Sequence, residues 1–313
     1  MRPILAAVVL AFAAPSLAEQ DTSGGVQWFL SRDWAKAKAE FSCAARRNDR
    51  DARAHFYLGR LALIDNDPDA TAEHLRRAVE LANTVSDYHL WYGKAMTQQA
   101  MRAMNPLLAV GVKTQLERAA ALDGRSLDAR DALADFYSMA PAMMGGRADK
   151  AREQAEAISR LDAMRGHFAF GRIAIRSKDT TAVEREMNAA IALMPDTLAV
   201  YPALANWYVS QKEWPKAFAT LDRHVQRRPD DPHGLYAIGR VATSSGQELD
   251  RGERGLRTFL AKPRRTPQPV VSLAYLRLAQ VLDHEERRAD ARAAYQRALE
   301  LDPRNEEARK VMK

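Results

Sequence analysis

The sequence predicts an all-α fold, a stack of about eight helical hairpins. Two observations support this prediction. Pro195 and Pro229 lie 34 residues apart and each closes the same helical pattern, and Ala44 and Ala78 keep the same interval. Two similar segments, DWAKAKAEF from residue 33 and EWPKAFATL from residue 213, recur far apart in the chain. A repeat of this length is typical of a two-helix unit that buries its apolar face only against its neighbours.

The last unit, residues 272–305, shows the repeat most clearly. Small residues there should let the two helices approach each other, while large residues fill the gaps between them. The positions that carry the pattern are Tyr275, Leu278, Ala279, Leu282, Ala291, Tyr295, Ala298 and Pro303. This pattern resembles the tetratricopeptide repeat, and the N-terminus suggests an exported bacterial protein of that kind. The resemblance implies a right-handed α-solenoid superhelix.

The other units differ in length. We expect seven of them within residues 19–261, two of which have extra residues in the turn between their first and second helices, near 97–111 and 140–146. The segment KPRRTPQP contains three prolines and predicts a joint at 262–271, since proline blocks helix continuation. The C-terminal unit and the end of the chain then occupy 272–313.

The N-terminus predicts export. Residues 1–18 combine Arg2, an apolar run from Ile4 to Ala14 and small residues before Glu19, which is the pattern of a cleaved signal peptide. The run is shorter than the ~20 apolar residues that a membrane-spanning helix needs. We therefore expect a periplasmic protein, with secretion as the alternative and no membrane span. The single cysteine, Cys43, excludes an internal disulfide.

A file of cationic and amide side chains is the candidate ligand site. The formal net charge is +7, which favours anionic partners. The family resemblance implies that the first helix of each unit lines a concave groove. The side chains expected there are Arg53, Arg60, Lys94, Arg165, Arg172, Asn206 and Arg240. They predict a groove for a carboxylate or an acidic segment, the alternative being solvated surface charges.

Methionines near the second insertion form a second candidate contact. Met139, Met143 and Met144 offer a soft apolar surface for a partner. Ordinary packing of the inserted turn and binding of Cu(I) are the alternatives. The histidines are scattered without close spacing in sequence, so we predict no metal site and no cofactor.

The chain lacks the sequence motifs of common enzymes. HExxH, GxSxG, the phosphate loop and the Rossmann glycine pattern do not occur in it. The leading hypothesis is an exported scaffold or adaptor that binds a protein or peptide segment through its basic groove, in cell-envelope assembly or trafficking. The alternative is a component of a transporter that binds a small organic anion. Because we expect export, a nucleic-acid partner is not predicted.

Overall fold

The computed structural model describes residues 23–103, 105, 108–197, 199–229, 231–261 and 268–312. Within these ranges the secondary structure is helical and contains no β-strand. The predicted all-α solenoid of helical hairpins is therefore confirmed. The predicted signal peptide, residues 1–18, lies outside the described residues, as do residues 262–267 of the predicted joint.

The chain divides into two compact units, and the first ends at Leu161. Its described residues form four hairpins, in each of which two consecutive helices pack against each other. Its helices are α1 (Ser23–Leu30), α2 (Trp34–Arg47), α3 (Ala52–Ile64), α4 (Pro68–Leu81), α5 (Ser86–Ala103), α6 (Leu108–Leu122), α7 (Leu127–Met139) and α8 (Ala148–Leu161).

The second unit begins at Asp162 and also contains four hairpins, followed by a short closing helix. Its helices are α9 (Ala163–Ser177), α10 (Thr180–Leu193), α11 (Val200–Ser210), α12 (Trp214–Arg227), α13 (Pro232–Ser245), α14 (Leu249–Ala261), α15 (Gln268–His284), α16 (Arg288–Leu301) and α17 (Glu306–Val311). The last four residues of the predicted joint, 268–271, belong to α15.

Aspartate side chains begin many of these helices. Each accepts a hydrogen bond from the backbone N–H three residues later, which satisfies one of the unpaired donors of the first turn. Asp67 does so for α4, where Pro68 is the first helical residue. The acidic segment DNDPD at 65–69 is thus a helix start. The other aspartates in this role are Asp33, Asp51, Asp162, Asp179 and Asp231.

Small residues on the first helix of a hairpin allow the second helix to pack closely. Gly239 on α13 illustrates this, because a methyl group added there would lie 2.6 and 2.7 Å from the two Cδ atoms of Leu256 on α14. Leu256 is fully buried. The periodic small residues in the sequence therefore mark close helix contacts. Large fully buried side chains fill each unit, namely Phe41, Leu61, Leu75, Leu90 and Ile158 in the first and Met187, Tyr201, Leu204, Leu221 and Leu276 in the second.

The two predicted insertions take different local structures. Near 97–111, helix α5 continues to Ala103 and α6 begins at Leu108, so the extra residues lengthen the hairpin. Near 140–146, a 3₁₀ turn spans Ala142–Met144 and ends at Gly145, whose φ of 95° is left-handed. Gly145 lies against the side chain of Lys113 on α6, so this turn packs on the neighbouring hairpin.

In the part of the chain that the structure describes, no helix combines the length and apolar character needed to cross a membrane.

Candidate ligand-binding face

All seven predicted groove residues lie on the first helix of a hairpin. Arg53 and Arg60 are on α3, Lys94 on α5, Arg165 and Arg172 on α9, Asn206 on α11 and Arg240 on α13. In the first unit α5 contacts both α3 and α7, and in the second α13 contacts both α11 and α15. The first helices α3, α5 and α7 therefore share a face in the first unit, and α11, α13 and α15 share one in the second.

Arg60 is the centre of this face in the first unit. The guanidinium Cζ lies 4.3 Å from the ring centroid of Trp91, 4.5 Å from that of Phe29 and 5.6 Å from that of Phe56. A cation at these distances is attracted by the electron-rich ring faces. Three helices, α1, α3 and α5, thus supply one aromatic cage around a single cation.

Lys94 joins the same cage from α5. Its Nζ lies 4.9 Å from the ring centroid of Trp91, so two cations contact one indole. Neither Arg60 nor Lys94 forms an ion pair with a described residue. Two positive charges therefore lie against one aromatic ring without a carboxylate in direct contact, and their positive potential favours the approach of an anion.

Burial changes the electrostatics of Arg60. Desolvation lowers the pKa of this guanidinium, while nearby Tyr57 and Asp87 act in the opposite direction. Arginine nevertheless stays protonated at physiological pH. The Nε of Arg60 is buried without a hydrogen-bond partner, which leaves a charged donor unsatisfied.

Further rings support the cage. Tyr57 stacks on Phe41 at a centroid distance of 4.6 Å and meets Phe29 edge-on at 5.0 Å. Tyr88 on α5 stacks on Phe56 at 4.7 Å, and burial raises the pKa of Tyr88 to about 12. These contacts link α1, α2, α3 and α5, so the rings that surround Arg60 have defined positions.

The second unit arranges its predicted residues differently. Arg172 lies 4.7 Å from the ring of Phe168, and both Arg165 and Arg172 already have partners. Asn206 is exposed. Arg240 is half-buried, and its pKa is lowered by burial and by the nearby charge of Arg277, with Tyr236 opposing both effects. The structure thus brings Arg240 towards Arg277, a residue that the sequence reasoning missed.

The three predicted methionine contacts lie at the 140–146 turn. Met143 is 85% exposed and Met139 is 46% exposed, whereas Met144 is half-buried. Met101, at the end of the lengthened α5, is also exposed. These side chains leave exposed apolar surface at the turn and near the end of α5.

The aromatic members of the cage were the main omission from the predicted site. Phe56 precedes Arg60 by four residues and Trp91 precedes Lys94 by three, so each pair shares a helix face. That spacing was the available signal. Phe29 gave no such signal, because it reaches Arg60 only through the packing of α1 on the next hairpin.

Comparisons with known proteins agree with this architecture. Residues 31–86 and 272–305 match two family models that are both described as tetratricopeptide repeat. No curated protein is similar enough in sequence to count as a match.

Among solved structures, a tetratricopeptide repeat protein from Parabacteroides merdae is 11% identical, with a TM-score of 0.58, and the alignment covers 85% of this chain and 98% of that one. This similarity concerns the fold alone. YrrB, described as a TPR protein with an unusual peptide-binding site, is 15% identical, with a TM-score of 0.45 and coverage of 59% and 91%. MamA is 19% identical, with a TM-score of 0.42 and coverage of 56% and 90%.

Proposed function

The chain is a tetratricopeptide-repeat protein, and we propose that it is a scaffold that binds an acidic or carboxylate-bearing segment of a partner protein. The repeat fold indicates a protein-interaction scaffold, since stacked hairpins present extended surfaces for other chains. The finer proposal concerns the place of binding. We assign it to the face formed by Arg60, Trp91 and Lys94, with the function being binding and not catalysis.

The observation that carries this proposal is the aromatic cage around the guanidinium of Arg60. Its Nε is buried and lacks a hydrogen-bond partner, and the whole group lies among three aromatic rings. Holding an arginine in this way costs desolvation free energy. A peptide carboxylate that accepts from the remaining guanidinium N–H groups would form charge-assisted hydrogen bonds, and the fixed rings keep that guanidinium oriented.

Trp91 and Lys94 define what else the partner should contain. The indole offers apolar surface beside the two cations, so an aliphatic or aromatic residue next to the carboxylate would bury area against it. Lys94 adds a second, more mobile positive charge. We therefore expect acidic residues adjacent to an apolar one to bind better than acidic residues alone.

We propose a subsidiary role for the remaining predicted residues. Arg240 gives the second unit a half-buried cation on its own first-helix face. Arg53, Arg165 and Arg172, which have contacts of their own, contribute positive potential, and Asn206 an exposed amide. The methionines at the 140–146 turn supply the proposed secondary apolar contact.

A peptide screen tests the proposal. The whole chain is offered a random library of short peptides with free C-terminal carboxylates, at about 50 mM and about 300 mM NaCl. We expect the recovered peptides to be enriched in Asp and Glu beside an apolar residue, and recovery to fall at the higher salt concentration. Enrichment of basic or uncharged peptides, or recovery independent of salt, would overturn it.

A parallel measurement distinguishes peptide binding from the alternative function, binding of a small organic anion. A thermal-shift panel of small mono- and dicarboxylates is run in parallel, because a ligand that binds only the folded state raises the midpoint of unfolding. A shift with a small carboxylate, together with no recovered peptide, would favour the transporter-associated component that binds an organic anion.

The proposed site of action is the cell envelope. This part of the proposal depends on the signal-peptide pattern of residues 1–18. N-terminal sequencing of the protein recovered from a periplasmic extract tests it. We expect a chain that begins at Glu19, and an intact chain confined to the cytoplasm would contradict export.

A further inference from the structure

Two histidines that are distant in sequence meet between the helices of the second hairpin. His55 lies on α3 and His74 on α4. Their Nδ1 atoms are 3.1 Å apart and their ring centroids 5.3 Å apart. This pair lies outside the aromatic cage, and the proposed function makes no use of it.

The hydrogen bonds of His55 define which of its ring nitrogens carries a proton. Its Nε2 lies 3.1 Å from the backbone carbonyl oxygen of Asp49, which can only accept, so Nε2 carries a proton. In the neutral ring Nδ1 then holds a lone pair, directed at His74. A metal-binding histidine is typically oriented in this way, by donating its other N–H to a carbonyl.

His74 completes the pair, with its Nδ1 at 3.1 Å from the Nδ1 of His55. A deprotonated imidazole is the form that binds metal ions. In the ion-free pair, one ring must donate through Nδ1 and the other accept, so His74 donates to His55.

We propose that His55 and His74 form a two-histidine site for a divalent transition-metal ion such as Zn²⁺ or Ni²⁺. Imidazole nitrogen suits these ions. Two nitrogens in a tetrahedral site with bonds of about 2.05 Å lie about 3.4 Å apart. The rings therefore need to separate by a few tenths of an ångström and to turn by about 35° each, so that both Nδ1 lone pairs point at the ion.

Binding of the metal ion to the neutral pair leaves the number of protons on the two rings unchanged. The ion takes the Nδ1 lone pairs of both rings, so the proton that His74 Nδ1 donates to His55 must leave that nitrogen. A neutral His74 then carries its proton on Nε2, and the net protonation of the pair is unchanged. Each imidazole that is protonated beforehand releases one proton when the ion binds.

A cavity beside His74 has room for solvent ligands. His74 lines a cavity of about 330 Å³ whose other charged lining residues are Lys38, Arg46, Asp65 and Asp67. Two cations and two carboxylates leave this lining without a large excess of charge. Within the described residues no cluster of three or more His, Cys, Asp or Glu is arranged to hold a metal ion. In the proposed site, water molecules would occupy the other coordination positions.

Isothermal titration of the whole, untagged chain with ZnCl₂, after treatment with a chelator, tests the site. We expect one ion per chain and a loss of affinity of about tenfold or more in His55→Gln and in His74→Gln, since each removes one of two protein ligands. His284→Gln is the matched control, because that exposed histidine lies in the second unit. Its affinity should stay within about twofold of the unmodified chain.

A second measurement keeps the test decisive if a variant fails to fold. The imidazole nitrogen resonances of the unmodified chain are recorded during the ZnCl₂ titration. We expect the Nδ1 signals of two of the seven histidines to shift together at one equivalent. Absence of saturable binding, affinity unchanged in His74→Gln, or shifts confined to other histidines would overturn the proposal.

Discussion

At the residue scale, one carboxylate connects two hairpins of the second unit. Asp231 Oδ2 accepts from the Nε2 of His224, 2.7 Å away, and from the backbone N–H of Gly234, 2.9 Å away. His224 is buried on α12, and Asp231 caps α13. The same side chain therefore begins one helix and holds the preceding one.

The pKa of Asp231 predicts how this contact depends on pH. Burial acts to raise the pKa, but hydrogen bonds from His224 and from the backbone N–H groups of Gly234 and His233 outweigh it, so the pKa is lowered. A carboxyl with a lowered folded-state pKa stabilises the fold above its unfolded value of about 3.9. This stability is lost as the pH falls below that value through the folded pKa.

Replacing Asp231 with Asn removes the charge of this carboxylate. Asparagine caps helices well, and its single side-chain oxygen can accept from both His224 and Gly234, so the hydrogen bonds remain but are no longer charge-assisted. We expect Asp231→Asn to lower the free energy of unfolding at pH 7 by about 1–3 kcal/mol, because the hydrogen bonds to this side chain lose their ionised acceptor, and the difference to shrink below about pH 4. Urea unfolding at both pH values measures this.

Asp179→Asn is the matched control for that experiment. Asp179 caps α10 by accepting from the N–H of Ala182, and the same bond can form with asparagine. Its effect should stay within about 0.5 kcal/mol at both pH values. A loss in Asp231→Asn that did not depend on pH would contradict the role given to the ionised carboxylate.

At the element scale, the 140–146 turn is a tightly bonded connection between α7 and α8. Gly146 donates to the carbonyl of Pro141 at 3.1 Å, and Arg147 donates to that of Tyr137 at 2.8 Å. A Cβ at Gly146 would come within 2.6 Å of the carbonyl carbon of Ala140. The neighbouring atoms are backbone, so a side chain cannot be accommodated by a rotamer change.

We expect Gly146→Ala to destabilise the first unit by about 2 kcal/mol or more, because the turn has to reopen. Urea unfolding measures the loss, and limited proteolysis should show faster cleavage near Met143. Gly124→Ala is the control, since a Cβ there would meet only Arg130 Nη2 at 3.6 Å. Equal stability of the two variants would show that the turn does not have the described geometry.

Some contacts between helices could be predicted from the sequence, and others could not. Periodic small residues predicted the hairpins, because a close helix contact such as Gly239 on Leu256 tolerates only a few residue types. The same logic placed Arg60 and Lys94 on first helices. The sequence pattern could not place Phe29 next to Arg60 or His55 next to His74. Those contacts depend on how separate helices pack, and they produce no repeating pattern in the sequence.

At the scale of the whole molecule, the chain consists of two compact units that meet in sequence between Leu161 and Asp162. Each has its own apolar clusters. Phe41, Leu58 and Leu61 share one in the first unit, and Leu204 and Leu221 share another in the second. In repeat proteins, stability is close to a sum of the units and their nearest-neighbour contacts.

We therefore expect residues 19–161 and residues 162–313 to fold when produced separately. Each fragment should show helical circular dichroism and a cooperative urea transition, at lower stability than the whole chain, because fewer neighbouring hairpins stabilise one another. The intact chain is the reference. A fragment that lacks a cooperative transition alone but gains one when mixed with the other would contradict two independently folding units.

The caged guanidinium of Arg60 is the group that we propose binds the partner's carboxylate, and the affinity of Arg60→Met for an acidic peptide tests this claim. A peptide from the screen is labelled, and its affinity is measured by fluorescence anisotropy at low and high salt. Arg118→Met is the matched control, since Arg118 is an exposed arginine on α6 in the same unit. Thermal unfolding confirms that each variant is folded.

We predict that Arg60→Met weakens binding about tenfold or more at low salt, that the difference narrows at high salt, and that Arg118→Met changes affinity by less than about twofold. Arg60→Lys should fall between the two, because it keeps the charge but loses the planar, multiply donating guanidinium. Wild-type affinity in Arg60→Met, or an equal loss in Arg118→Met, would contradict the claim.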